Sequence, residues 1–288
     1  MPTRLSIPAA ATVLFLSACS GNAAPVLFAV DAGTDELLSI DPNTGRASAI
    51  GRVEIGGVPV GGIRGLAFGP DGTLYGVDGF TDRLVIIDTE TGQALEVGIV
   101  TAGGVDALAF RGDTLFGVTL FDGRLTDTLV SIDTTTAMAT EVGLIEPEQN
   151  RTQAAHGLAA TPDGTLFYTN QANDLFYEID LEAIGPTTDA SKLVGSHRPD
   201  PETDVELLTL TAAPNGTLYA TDFLTDTLVT VDRETGALTE IGPLGFGDVR
   251  AIAAAPAGFG VVPVPAAGWL LLTGVGTLLL VRRRAQPA

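Results

Sequence analysis

Arg64–Gly98 reads RGLAFGPDGTLYGVDGFTDRLVIIDTETGQALEVG, and this stretch decides the fold because it recurs along the chain. Looser copies follow as DALAFRGDTLFGVT from Asp106 (later TLVSIDTTT), GLAATPDGTLFYTN from Gly157 (later LFYEID) and LTLTAAPNGTLYATD from Leu208 (later TLVTVDRETG). Equivalent apolar positions, Leu66, Leu108, Leu158, Leu210 and Ile252, lie 42, 50, 52 and 42 residues apart, close to the length of a four-stranded propeller blade.

Each copy alternates strand signals with turn chemistry. Asp71-Gly72, Asp163-Gly164 and Asn215-Gly216 separate the first and second strands, where a tight hairpin requires a positive φ. Asp41–Gly45, Asp88–Gly92 and Asp232–Gly236 join the third strand to the fourth, with an Asp to bond the turn backbone and a Gly for the left-handed position. No helical period is sustained outside the two ends. The first copy, Val26–Gly51, begins at its second strand (LFAVD), whereas Val249–Gly258 (VRAIAAAPAG) is a first strand with little after it. Pairing the two would close a ring and remove an exposed sheet edge. The expected fold is all-β, a five-bladed β-propeller over residues 25–260, closed by its C-terminal strand in the first blade. Ile184–Glu206 reads as too polar and Pro-rich for a sixth copy.

The formal net charge is −20, and without Arg4 and Arg282–Arg284 the body sets 11 basic residues against 35 acidic ones, a balance of −24. Such a surface repels nucleic acid, whose binding needs Lys/Arg clusters, and suits solubility, a saline medium or divalent cations. The single cysteine, Cys19, excludes an intramolecular disulfide.

Loops between blades, and those joining strands two and three, share one face of a propeller. Leu144–Ala155 and Ile184–Asp204 are the longer stretches there, so a site is expected on that face. Two positions before each repeat-equivalent apolar residue the blades carry Arg64, Asp106, His156, Leu208 and Arg250, with Glu206 and Asp248 close by. Two readings stand. The ring could be a polar pocket at the channel mouth for an anionic or sugar-like ligand, or a water-filled channel plugged by ion pairs such as Asp106 with Arg64. A second pattern sets Asp31, Asp78, Asn170 and Asp222 at the ends of second strands, followed by Thr34-Asp35, Thr81-Asp82, Asn173-Asp174 and Thr225-Asp226. Asp78, Asp82, Asp222 and Asp226 could contribute to calcium sites, since that ion takes six to eight oxygens. Asx-turns shaping the loops explain the same periodicity without a metal.

The ends carry a different message. Arg4 followed by the apolar stretch Leu5–Ala18 has the layout of a signal peptide within residues 1–24. Leu16-Ser17-Ala18-Cys19 reads as a lipobox, and cleavage near Ser20 or Ala24 reads equally well. Residues 261–288 read VVPVPAAGWLLLTGVGTLLLVRRRAQPA: an uncharged run, Ala266–Val281, long enough to span or nearly span a bilayer, then a basic cluster that marks the cytoplasmic side. Through Val262, Pro263, Val264, Pro265, Ala266, Ala267, Trp269, Arg282, Arg283 and Arg284 this tail resembles the PEP-CTERM family of sorting signals, in its Val-Pro-Leu-Pro-Ala variant with Val264 in place of Leu. The resemblance implies an exosortase as partner, transient anchoring in the inner membrane, and export to the envelope or extracellular matrix of a Gram-negative bacterium. A plain membrane anchor is the alternative.

No Gly-x-Ser-x-Gly elbow, Walker loop or His-Glu-x-x-His occurs, and no catalytic residue is assigned. Phrases such as LAFGPDGTLYGVD resemble NHL, YVTN and gluconolactonase-like propellers. That last likeness implies a metal held by Glu, Asn and Asp at the channel, a set not found here residue by residue. The expected function is an exported, non-enzymatic propeller that binds matrix polysaccharide or another envelope component. The rival is a metal-dependent hydrolase or lactonase that uses the channel-mouth residues.

Overall fold

The computed structural model describes residues 25–120, 127–145, 155–185, 190–198 and 204–259. The signal-peptide, lipobox and sorting-tail readings fall outside these residues. Among the described residues no helix is long and apolar enough to cross a membrane.

Five four-stranded antiparallel sheets form the ring. Blade I takes its inner strand from the chain's far end, Val249–Ala254, followed outward by Leu27–Asp31, Glu36–Ile40 and Ala47–Arg52. The closing register pairs Leu27 with Ala254, Phe28 with Ala253, Ala29 with Ile252 and Val30 with Ala251, as the complementary ends of the repeat array require. Blade II runs Ile63–Phe68, Leu74–Asp78, Arg83–Ile87 and Ala94–Ile99, and blade III Val105–Arg111, Thr114–Thr119, Thr128–Ile132 and Ala139–Leu144. Blade IV runs Ala155–Ala160, Leu166–Asn170, Leu175–Ile179 and Ser191–Ser196, and blade V Thr211–Ala212, Leu218–Asp222, Thr227–Val231 and Leu238–Pro243.

Two features depart from the reading of the sequence. Ile184–Asp204 is not one long loop, because it contains the outer strand of blade IV, Ser191–Ser196. A small hairpin, Glu54–Ile55 with Val58–Pro59, also projects from the connection between blades I and II.

The second strands of blades I, II, IV and V are buried along their whole length, and that of blade III from Leu115 onward, because a blade packs on both faces. The apolar side chains accordingly gather into five clusters, one between each pair of consecutive blades. Phe28, Val30 and Leu37 meet Ile63, Leu66 and Leu74 between blades I and II. The ring closes where Leu27, Ala29 and Leu38 meet Tyr219 and Leu228 of blade V. Loops between blades and between strands two and three make up the loop face. The hairpins that end the inner strands make up the opposite, hairpin face.

Candidate functional site

In four blades the inner strand carries one extra residue at its loop-face end. The register passes from Ile63–Asp78 directly to Gly65–Val77, leaving Arg64 unpaired in the ladder. The same bulge isolates Asp106 between Val105 and Ala107, His156 between Ala155 and Gly157, and Arg250 between Val249 and Ala251. A bulge interrupts the in-out alternation and re-aims the extra side chain. This is why polar residues sit at these positions while apolar neighbours on either side remain in the core.

The structure brings three of the expected residues together. Arg64 Nη1 donates to Asp106 Oδ1 at 2.8 Å, and the other carboxylate oxygen, Oδ2, bonds His156 Nδ1. Asp106 is almost fully buried, with 7% of its side chain exposed. Burial pushes its carboxyl up, but His156 and Arg64 more than offset this and hold it below the usual range. Arg64 lies 4.9 Å from the centre of the Phe80 ring, close enough for a cation–π contact, and Phe80 itself is 73% exposed. Glycines make room for both groups. A Cβ on Gly62, whose φ is +83°, would fall 2.1 Å from the Phe80 ring, and one on Gly79 would fall 2.6 Å from Arg64 Cδ. Phe80 went unnoticed in the sequence; its signal was the GGxR…GF spacing, small residues on both sides of the arginine.

The remaining members of the expected ring find other partners. Arg250 Nε donates to Asp248 Oδ1 at 2.6 Å, and its guanidinium lies 5.2 Å from the centre of the Phe223 ring. Glu206 Oε1 accepts from Gln171 Nε2 at 2.5 Å. Leu208 is buried. The anticipated Arg64–Asp106 ion pair is present, and the channel beneath it is narrow. Leu66, Leu108, Leu158, Leu210 and Ile252 converge on the axis and leave about 10 Å³, room for roughly one water. The candidate site therefore sits on a closed axis, open only to the loop face. At the other end of the axis Phe68, Phe110, Pro162, Pro214, Pro256 and Arg111 are among the residues lining a depression of about 240 Å³.

The proposed calcium carboxylates serve the loops. Asp78 accepts from the backbone N–H groups of Phe80 and Thr81 and from the Thr81 hydroxyl. Asp222 does the same work for Leu224 N and Thr225 Oγ1. Asp82 and Asp226 adopt left-handed φ values of 56° and 52°, as do Asp35 and Asp174. Asp82 also accepts Gly104 N at 2.6 Å, capping the approach to the next blade. These are Asx-turns and loop caps. Among the described residues no three His, Cys, Asp or Glu side chains converge as a metal centre would need.

His197, within the Ile184–Glu206 stretch read as polar, is buried, 2% exposed, with Nδ1 2.9 Å from Gly236 O. Burial pushes its pKa down to about 4.

No family model matches the chain, and no curated protein matches it. Among solved structures, a chain from the crystal structure of a nidogen/laminin complex superposes with a TM-score of 0.52 at 13% identity, covering 81% of this chain and 99% of that one. The streptogramin B lyase structure aligns with a TM-score of 0.40 at 15% identity, covering 64% of this chain and 55% of that one. At these identities the first likeness speaks for the propeller fold alone, and the second carries no argument.

Proposed function

We propose that the chain is an exported, non-enzymatic β-propeller that binds matrix polysaccharide or another envelope component on its loop face. The observation that carries this reading is the Arg64–Asp106–His156 group beside the exposed Phe80 ring. A fixed set of hydrogen-bonding groups next to an open aromatic face offers a sugar both directed polar contacts and an apolar platform. In this reading the tail is recognised by an exosortase, and calcium is an additive whose effect is to be measured. Glycan-array binding of the purified domain, with and without calcium, tests the proposal. Phe80→Ala is expected to weaken binding by about tenfold or more, near 1.4 kcal/mol. Absence of binding to the host's own exopolysaccharide under either condition overturns the reading.

The Asp106–His156 contact supports one rival. A carboxylate on Nδ1 orients an imidazole so that Nε2 could act as a base, as a hydrolase or lactonase would need. Metal analysis of the purified protein, with turnover assays on wild type, His156→Ala and Asp106→Ala, separates the two. A metal-free protein without turnover removes the rival.

A further inference from the structure

We infer that the propeller stands with its hairpin face toward the membrane and presents the Arg64–Asp106–His156 group outward, whichever of its two terminal segments holds it there. This rests on the export and anchoring reading above and adds an orientation that the reading does not contain.

The argument follows from the closing strand. Leu27–Asp31 starts at the hairpin face and ends at the loop face, where Ala32 N donates to Asp248 O at 2.8 Å. Val249–Ala254 runs the opposite way and returns the chain to the hairpin face, where Ala255 N donates to Val26 O at 2.8 Å. The described chain therefore enters and leaves side by side on one face. The exit is pinned: Phe259 N donates to Pro256 O at 3.1 Å, and its ring packs 5.0 Å from Phe68 and 5.8 Å from Phe28.

The two ends of the described chain, which lead toward the apolar runs Leu5–Ala18 and Ala266–Val281 in the sequence, thus lie side by side. Six residues lie between Phe259 and Ala266, and the seven Cα–Cα steps from one to the other span at most about 25 Å at full extension. A bilayer that holds Ala266–Val281 keeps the hairpin face within that reach. The loop face lies farther away by the length of an inner strand, roughly 20 Å.

Charge determines how the near face sits. Asp41, Asp71, Asp88, Asp133, Asp163 and Asp232 all lie in hairpin-face turns, where backbone N–H groups and threonine hydroxyls favour the ionised carboxylate; Asp163 is in addition paired with Arg233 at 2.8 Å. Anionic headgroups repel such a rim, so the domain stands off on its tether rather than lying flat. A ligand for the loop face must then come from the side away from the bilayer. A lipid headgroup of the anchoring membrane is excluded as that ligand.

Energy transfer in liposomes tests this. The full chain in a Cys19→Ser background is reconstituted through its tail into vesicles of phosphatidylcholine and phosphatidylglycerol that carry a headgroup acceptor. A donor is placed on Asp113→Cys in a hairpin-face turn or on Ala172→Cys in a loop-face turn; both positions are exposed. Transfer from Asp113→Cys is expected to exceed that from Ala172→Cys at least about twofold. A chain truncated after Phe259 is expected to stay in solution. Equal or reversed transfer from a vesicle-bound chain overturns the orientation and leaves glycan binding untouched. A full chain that does not associate with vesicles overturns the anchoring premise, and the inference with it. Glycan binding by the vesicle-held chain serves as the independent control for the functional reading.

Discussion

His197 occupies a place that the repeat keeps apolar elsewhere. Val53, Val100, Ile145 and Leu244 are its counterparts, each buried just after an outer strand, and each donates its backbone N–H to the Asp at the end of the blade's second loop. His197 N makes the same bond to Asp174 O at 2.8 Å, but its imidazole brings a polar atom that the site does not satisfy. Nε2 has no hydrogen-bond partner among the described residues, which costs stability even at neutral pH. The folded state keeps this ring neutral down to about pH 4, whereas the unfolded chain takes up a proton near 6.5. A depressed folded pKa means that the unfolded state binds more protons through that window, so stability is full above pH 6.5 and falls as the pH drops toward 4. At 1.36 kcal/mol per unit the loss is about 3 kcal/mol. His197→Leu, the residue of blade V, is expected to raise the urea midpoint at pH 7.5 and to flatten its decline between pH 6.5 and 4. The neighbouring Arg198–Asp174 pair remains in both proteins, so the comparison isolates the imidazole. Equal acid lability in the variant would show that the ring titrates elsewhere.

At the scale of the element, the outer strand of each blade is latched to the next blade by a glycine. A Cβ on Gly195 would lie 1.8 Å from Thr235 O, one on Gly51 2.3 Å from Thr91 O, and one on Gly98 3.2 Å from Thr136 O. Gly143 meets Gly185 O at 2.6 Å and Gly242 meets Thr44 O at 2.5 Å by the same construction, which completes the circuit. Each glycine follows the extra residue of an outer-strand bulge, as at Val97 between Glu96 and Gly98. Alanine at these positions forces backbone against backbone, and overpacking of this kind costs about 1–3 kcal/mol. Gly195→Ala is expected to destabilise most, Gly51→Ala next and Gly98→Ala least, as read by denaturant midpoints; a flat series would dissociate the latch from stability. The Val-Gly ending was legible as part of the repeat, but its purpose was not, because a one-dimensional pattern does not say which carbonyl lies opposite. The same ending, Val194-Gly195, could have located the outer strand of blade IV inside the stretch read as a loop. The polar content of the surrounding residues masked it. The ring of Arg64, Asp106 and His156 was legible from spacing alone, whereas the bulge that aims these side chains and the Phe80 ring beside them follow from backbone register.

The whole molecule depends on one strand that arrives last. Blade count and closure could be read from the array because its two ends are incomplete in complementary ways, a constraint that survives degenerate copies. The apolar clusters give the energetic reason: each belongs to two blades, so opening the ring at blade I exposes surface on both sides of the gap. Phe28 pairs with Ala253, and Ala255 N donates to Val26 O, so by alternation Ala253 N also points into the ladder. Ala254 N points outward instead, to Thr211 Oγ1 of blade V at 3.0 Å. Proline at residue 253 removes the inward donor and places its ring against the facing strand, at a cost of about 3 kcal/mol or more. For a domain of this size that corresponds to a fall in Tm of roughly 6–12 °C. The side chain it replaces is only a methyl, so little of the fall can come from lost packing. Calorimetry of Ala253→Pro is therefore expected to show a lower Tm and a broader transition, because blades freed from closure unfold with less mutual support. A variant that melts within about 2 °C of wild type, still in one sharp step, would mean that the ring holds without its last strand and that neighbouring-blade contacts alone carry the cooperativity.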